Sequence, residues 1–348
     1  MSDFKTLKGL FIKHVSSDPS TPVEGQIWYN STTQTIKVAP MLGAWAAGEN
    51  LPQQSSYLAC CGPQTAGLVW SGQSPPLSPP YRDEAFTYDG TDWTASPDIS
   101  QAKAVNAGTG TATAALSVGG YNYPPSDYQN DTEEYDGSSW AEVADYPTTI
   151  MSGGIAGIQT AAVVGGGVGN PGHTSRNVTN EYNGSSWTAG ENMPAAYAAS
   201  HRAWGTLTAA VFCGGENPSV TGATLSYDGT DYTAESNSMN TARANHSCAQ
   251  NGTSTAGLIF AGAPSVKTNT ESWNGTSWTN EPALGTARSV AGGFGTATAA
   301  VCAGGNPFPS GAIGTEEFNK SATVRSVDTT GRIIKQYLEK RLSFLLQI

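Results

Sequence analysis

One stretch of sequence is written six times along this chain, and only a fold assembled from repeated units accommodates that. It reads Gly-x-x-Thr-Ala-x-apolar-apolar-x-small-Gly, then a variable stretch, then Thr-x-x-Tyr-Asp-Gly-x-x-Trp. The opening glycine falls at Gly62, Gly110, Gly157, Gly205, Gly252 and Gly295, the closing one at Gly72, Gly120, Gly167, Gly215, Gly262 and Gly305. The aromatic of the second half is Tyr88, Tyr135, Tyr182, Tyr227, Trp273 and Phe318. A period of about 45 residues, made of short apolar runs and turn glycines, is the signature of a propeller blade. The expectation is an all-β, six-bladed β-propeller over 43–320. An N-terminal arm (1–42) precedes it, and a tail (321–348) with a short amphipathic α-helix follows.

The fifth repeat shows the logic. Asn245 to Gln250 is rich in small residues, as suits an innermost strand beside a central channel. Asn251-Gly252-Thr253 reads as a tight turn, because Asn-Gly accepts the positive φ of a type I′ hairpin. Thr255 to Ala261 is an apolar run fit for a strand buried on both faces. Thr270 to Trp273, the Asn274-Gly275 turn and Ser277 to Thr279 complete four antiparallel strands. The edge aromatics, Trp93, Trp140, Trp187, Trp278 and Tyr232, are expected to pack between blades, each burial stabilising by about 2–3 kcal/mol. The last repeat lacks its Gly-x-x-Trp ending, while Trp45 to Pro52 nearly copies Trp187 to Pro194. The strand around Trp45 is therefore expected to close the sixth blade and hide its edge.

The Gly-Gly pairs (Gly119-Gly120, Gly166-Gly167, Gly214-Gly215, Gly304-Gly305) followed by Tyr-Asp-Gly and Trp resemble kelch repeats over about Ala44 to Lys320. The segment from Leu7 through Ser16-Ser17-Asp18-Pro19 to Gly25-Gln26-Ile27-Trp28-Tyr29-Asn30 is similar to the start of structural proteins of marine tailed bacteriophages. That resemblance implies a virion protein, made in the host cytoplasm without a signal peptide.

Composition narrows the function classes. Net charge is −11 and charged residues are 13%, which argues against nucleic acid, whose binders need a basic footprint. No run of about 20 apolar residues suggests a span, and the N-terminus has no apolar signal region. Cys60, Cys61, Cys213, Cys248 and Cys302 lie on expected inner strands and read as small buried hydrophobes. The Asn-x-Ser/Thr sequons at Asn183 and Asn274 are by-products of turn chemistry.

No catalytic, cofactor or metal site is expected. The Asp89-Gly90, Asp136-Gly137 and Asp228-Gly229 units fail the spacing of a sialidase Asp-box, in which one residue separates Asp from Gly. Arg202, Arg243 and Arg288 recur before blades four to six, with Lys103 before blade two. Interblade salt bridges with Glu133, Glu181, Glu271 and Glu316 explain them as well as a substrate carboxylate would. His14, His173, His201 and His246 have no paired spacing, so metal is not expected. Gly165 to Gly169 lacks the Lys-Ser/Thr and helix of a phosphate loop.

The variable loops carry the functional signal. Their Tyr, Asn, Ser, Gly and Pro composition is that of recognition loops, and variation on one face of a repeat scaffold marks a binding face. Tyr81, Tyr121, Tyr123, Tyr128, His173 and Phe308 are the candidate glycan- or receptor-binding residues. The alternative is that these loops pack on another virion protein. In the tail, Ile334, Leu338, Leu342 and Leu345 form one apolar stripe on a helix too short to stand alone. With Phe11 and Ile12 they are candidate assembly residues. The functional expectation is a non-enzymatic virion protein, a tail-fibre or appendage propeller binding host-surface glycan and oligomeric in the particle. A decoration or connector protein touching only phage proteins is the alternative, and a glycan depolymerase a remote one.

Overall fold

The computed structural model describes residues 12–74, 80–122, 127–170, 173–195, 202–216, 218–307 and 313–326. The chain divides into two compact units, Ala44–Asn319 and a smaller one from the two ends, Met1–Gly43 with Lys320–Ile348. The large unit holds six four-stranded antiparallel sheets among the described residues. They are numbered here in chain order. The first comprises Ala59–Cys61, Gly67–Trp70, Ala85–Tyr88 and Trp93–Ser96. The second comprises Ala107–Thr111, Ala114–Asn122, Asp127–Tyr135 and Trp140–Glu142, and the third Gly154–Ile158, Ala161–Gly165, Thr179–Tyr182 and Trp187–Ala189. The fourth comprises Arg202–Thr206, Ala209–Cys213, Thr224–Tyr227 and Tyr232–Ala234, and the fifth Ser247–Cys248, Gly257–Phe260, Thr270–Trp273 and Trp278–Glu281. The sixth runs Gly292–Gly295, Ala299–Ala303 and Thr315–Ala322, and Met41–Ala47 from the other end of the chain completes it.

First strands pack against first strands from sheet to sheet, and that of the sixth sheet reaches that of the first. Each sheet thus buries its faces against two neighbours, which is the architecture of a β-propeller. Its core lies in clusters between sheets, such as Leu116, Val118, Tyr146, Ile150, Val164 and Tyr182.

Backbone geometry explains the repeated glycines. All six closing glycines have positive φ, as do the residues before them, Gly119, Gly166, Gly214 and Gly304 in four sheets, Ser71 and Ala261 in the others. This left-handed turn aims the closing N–H at the next sheet. Gly72 donates to the Lys103 carbonyl (2.8 Å), Gly120 to Ile150 (2.8 Å), Gly215 to Arg243 (3.0 Å), Gly262 to Arg288 (2.9 Å) and Gly305 to Ser55 (2.9 Å). A Cβ at Gly305 would stand 2.7 Å from the Ser289 carbonyl oxygen, so no other residue fits there. A second chain of bonds runs just before the first strands. Tyr57, Val105, Ser152, Asn245 and Val290 all take left-handed φ between 51° and 62°. Val105 donates to the Tyr57 carbonyl, Ser152 to Val105, Tyr57 to Val290 and Val290 to Asn245. Valine in that region is disfavoured by its branched Cβ, and the bonded collar is what holds it there.

The edge aromatics reach back to the preceding sheet. The Trp187 Nε1–H donates to Thr132 Oγ1 (3.2 Å) and the Ala144 carbonyl (3.0 Å), Trp278 to Thr224 Oγ1 (2.9 Å), and Trp45 to Thr270 Oγ1 (3.0 Å). Tyr232 pairs with Thr179 through its hydroxyl (3.0 Å). The repeated Thr of the Thr-x-x-aromatic unit, at Thr132, Thr224 and Thr270, is therefore an acceptor for the neighbour's tryptophan, whereas Trp93 donates to the Glu49 carbonyl instead. The Tyr of that unit reaches the same way: Tyr182 donates to Glu134 (2.9 Å), Tyr227 to Glu181 and Tyr88 to Glu317, each in the previous sheet.

Three expectations are corrected. The inner hairpin of the fifth sheet is no two-residue Asn-Gly turn. Neither Asn251 nor Gly252 has positive φ, and only Ser247 and Cys248 pair with the second strand. This connection is two residues longer than its counterpart in the sixth sheet, so the chain turns later, with Thr253 and Ala256 bridged and the strand starting at Gly257. The arginine–glutamate pairs lie within sheets rather than between them. Finally, Arg202 and Glu181 do not belong to that series, as the strand register below establishes.

The smaller unit is a four-stranded sheet of Lys13–Val15, Ile27–Asn30, Thr35–Val38 and Arg325–Ser326. Asp18 ties it, accepting from Trp28 Nε1 and Asn30 Nδ2 at 2.8 Å each. Ile12 is 44% exposed and Val23 68%. The helix expected in the tail, with Ile334, Leu338, Leu342 and Leu345, lies outside the described residues, as do Phe11, Tyr123 and Phe308.

Candidate functional site

The strands of the second sheet project further than those of its sisters. Its second and third strands are nine residues each, whereas the third strand of the first, third, fourth and fifth sheets has four. The extension places Tyr121 opposite Tyr128 as a cross-strand pair, after a register shift between Val118 and Gly120. Their rings stand edge to face with centroids 5.4 Å apart. Cross-strand aromatic pairs of this kind rigidify a projecting hairpin.

Neighbouring sheets extend this pair into a row. Tyr81, bridged to Gln73 in the first sheet's loop, meets Tyr121 at 5.9 Å and 65°. On the other side His173, in the small ribbon of Val168–Gly169 and Thr174–Ser175, meets Tyr128 at 5.9 Å and 63°. The Tyr128 hydroxyl also hydrogen-bonds His173 Nδ1. Four of the six candidate recognition residues, drawn from three repeats, are thus contiguous. Tyr81, Tyr121 and Tyr128 are half-buried and His173 exposed, so the row is a ridge with rings at the surface. Burial, with the Tyr121 and Tyr57 hydroxyls adding, raises the Tyr81 pKa, and burial with Tyr121 raises that of Tyr128. Both phenols stay protonated across the physiological range and serve as hydrogen-bond donors and acceptors. Such a ridge offers ring faces for stacking and hydroxyls for polar contact, in steps on the scale of a sugar ring. Tyr57 of the collar is near enough for its hydroxyl to act on that of Tyr81.

The other candidate chemistry is structural. Aligning the sheets by their strand pairing puts Lys103, Arg243 and Arg288 at one position, four residues before the first strand's first pair. Each is buried and ion-paired with the third-strand glutamate of its own sheet: Lys103 with Glu133 (3.0 Å) and Asp131, Arg243 with Glu271, Arg288 with Glu316 (2.6 Å). Arg288 Nη1 also donates to the carbonyls of Gly304 (3.1 Å) and Gly314 (2.7 Å), and Arg243 Nη1 to Ala261 (3.1 Å) and Asn269 (2.8 Å). Glu271 and Glu316 accept backbone N–H groups besides. Their donors are Asn240 and Thr241, and Gly285 and Thr286. Every side-chain nitrogen of Arg243 and Arg288 and both carboxylate oxygens of Glu271 and Glu316 are thereby engaged within the fold. Where the cation slot holds Ser55 or Ile150, the partner slot holds Phe86 or Asn180. Charge is present at both positions or at neither, as a buried ion demands.

The turn carboxylates are equally committed. Asp136 Oδ1 accepts from the N–H groups of Ser138 and Ser139 (2.8 Å each), and Asp89 and Asp228 repeat the arrangement. Those hydrogen bonds hold all three carboxyls below their ordinary pKa. Asn183 and Asn274 make the same two bonds. The five cysteines are free and buried, and burial pushes Cys60 up to about 11 and Cys248 and Cys302 up to about 12. Among the described residues no group of three His, Cys, Asp or Glu side chains could hold a metal ion, and no helix is long and apolar enough to cross a membrane.

No protein-family model matches the chain, and no curated protein does. Among solved structures the chain is similar to one titled "Structure of YjhT", with a TM-score of 0.63 and 11% sequence identity, over 81% of this chain and 99% of that one. At that identity the likeness bears on fold alone, and the fold is a β-propeller.

Proposed function

We propose that the chain is a six-bladed, kelch-like propeller serving as a glycan-recognition module of a bacteriophage virion, displayed on a tail fibre or appendage. The six four-stranded sheets, five of them linked to the next by the closing glycine among the described residues, support the blade count. The observation that carries the binding role is the ridge Tyr81–Tyr121–Tyr128–His173, built from three repeats on the variable-loop end. Aromatic rings stack on the apolar faces of sugars, while hydroxyls and an imidazole meet their hydroxyl groups. The phage assignment rests on the wording of the N-terminal segment and of the repeats. Partners within the particle are other virion proteins, held through the terminal segments, where Ile12, Val23 and Ile36 are exposed. The module binds and does not catalyse: its buried cations, their glutamates and the turn aspartates are engaged in holding the blades.

A glycan array probed with the full chain and with Tyr121→Ala tests this reading. Binding to a defined set of surface polysaccharides that the substitution removes is expected. No binding on any array, with capture of a phage protein instead, makes the chain a connector, and released oligosaccharide makes it a depolymerase.

A further inference from the structure

The register that unites Lys103, Arg243 and Arg288 separates Arg202 from them. Arg202 stands four residues later, at the first position of an innermost strand, where the other sheets have Ala59, Ala107, Gly154, Ser247 and Gly292. Five small residues keep the centre of the ring open, and the sixth puts a guanidinium into it. The cavity there, about 20 Å³, is lined by Arg202 and by first-strand residues such as Ala59, Ala107, Gly154, Cys248 and Gly293. It lies directly beneath the left-handed collar of Tyr57, Val105, Ser152, Asn245 and Val290, since Leu58, Asn106, Gly153 and Ala291, each one residue further along, line it too.

Arg202 is not consumed as its counterparts are. Its Nε donates to the His246 carbonyl at 2.8 Å, and neither terminal nitrogen makes a hydrogen bond or ion pair among the described residues. Its charge is felt by the thiols of Cys60, Cys213 and Cys248 on three sheets, which places the guanidinium centrally. Gln250 crosses the ring to donate to the Gly108 carbonyl (2.6 Å), leaving its buried Oε1 without a partner. A half-buried cation with unused donors wants an anion, and an orphaned amide oxygen wants a water. The volume has room for a single ion with a water.

We propose that the mouth of the channel binds one halide-sized anion on Arg202, with a water bridging to Gln250. The ion neutralises the guanidinium and joins innermost strands of opposite sheets. The melting temperature of the full chain, measured in sodium chloride or bromide against sodium gluconate at constant ionic strength, tests the site. A saturable rise with halide is expected, lost in Arg202→Met and retained in part in Arg202→Lys. Crystals of the unaltered protein grown in bromide should show an anomalous peak beside Arg202. The same halide dependence in Arg202→Met, or bromide crystals with no peak in the channel, overturns the proposal. Should the methionine variant fail to fold, the bromide crystals decide alone.

Discussion

The two ends of the propeller's sheets are built by opposite rules. At one end lie the tight turns between first and second strands and between third and fourth. There the same Asx bonds recur at Asp89, Asp136, Asn183, Asp228 and Asn274, each followed by a glycine with φ between 89° and 98°. At the other end lie the loops between second and third strands and the connections between sheets. That end has a repeated floor, made of closing glycines, collar and buried ion pairs, beneath a surface that differs from sheet to sheet. The lesson is that variation is freest above the floor, where the aromatic ridge stands, while within the floor the ion-pair slot changes only as a matched pair.

The largest effect is expected from breaking the floor. Glu271→Gln leaves Arg243 charged and buried without its carboxylate, at a cost of about 3–5 kcal/mol in chemical denaturation. The third sheet supplies the repair: Arg243→Ile with Glu271→Asn copies Ile150 and Asn180 and should recover more than half of that loss. A double variant no better than the single one would mean that the slot needs its ion pair.

Gly305→Ala comes next. A side chain at φ +98° and 2.7 Å from the Ser289 carbonyl oxygen should cost about 1–3 kcal/mol, and it weakens the link from the sixth sheet to the first. A variant that melts like the parent would contradict the role given to that N–H.

At the turn end the effect is small and depends on pH. Asp89, Asp136 and Asp228 have pKa values below those of the unfolded chain, so their contribution is present above the ordinary carboxylate pKa and is lost as pH falls. The triple Asp→Asn variant should melt like the parent at pH 7 and lose less stability between pH 5 and about 3. Parallel acid-melting curves for the two proteins would rule out this account of the turns.

The repeat was legible because its turns and buried runs obey local rules. Asp-Gly, Gly-Gly and the apolar run of Gly257–Phe260 are readable within one repeat. What stayed hidden depended on register between elements. Arg202 looked like kin of Arg243 because both precede an innermost strand, yet four residues of register separate a buried ion pair from a channel-facing cation. Glu181 matched Glu271 by proximity to an aromatic, but it lies one position along and accepts from Tyr227 of the next sheet. The tyrosines of the ridge were visible as types. Their contiguity was not, because Tyr81, Tyr128 and His173 come from loops of different length in three repeats.

The central claim is that the ridge binds and does not hold the fold together. Tyr121→Ala with Tyr128→Ala, measured in parallel for melting and for retention on the glycans bound by the parent chain, tests it most directly. The account predicts that glycan retention falls at least tenfold, the loss of about 1.4 kcal/mol of binding free energy, while the melting temperature hardly moves. Unchanged retention with a lowered melting temperature would make the ridge a structural brace and contradict the claim.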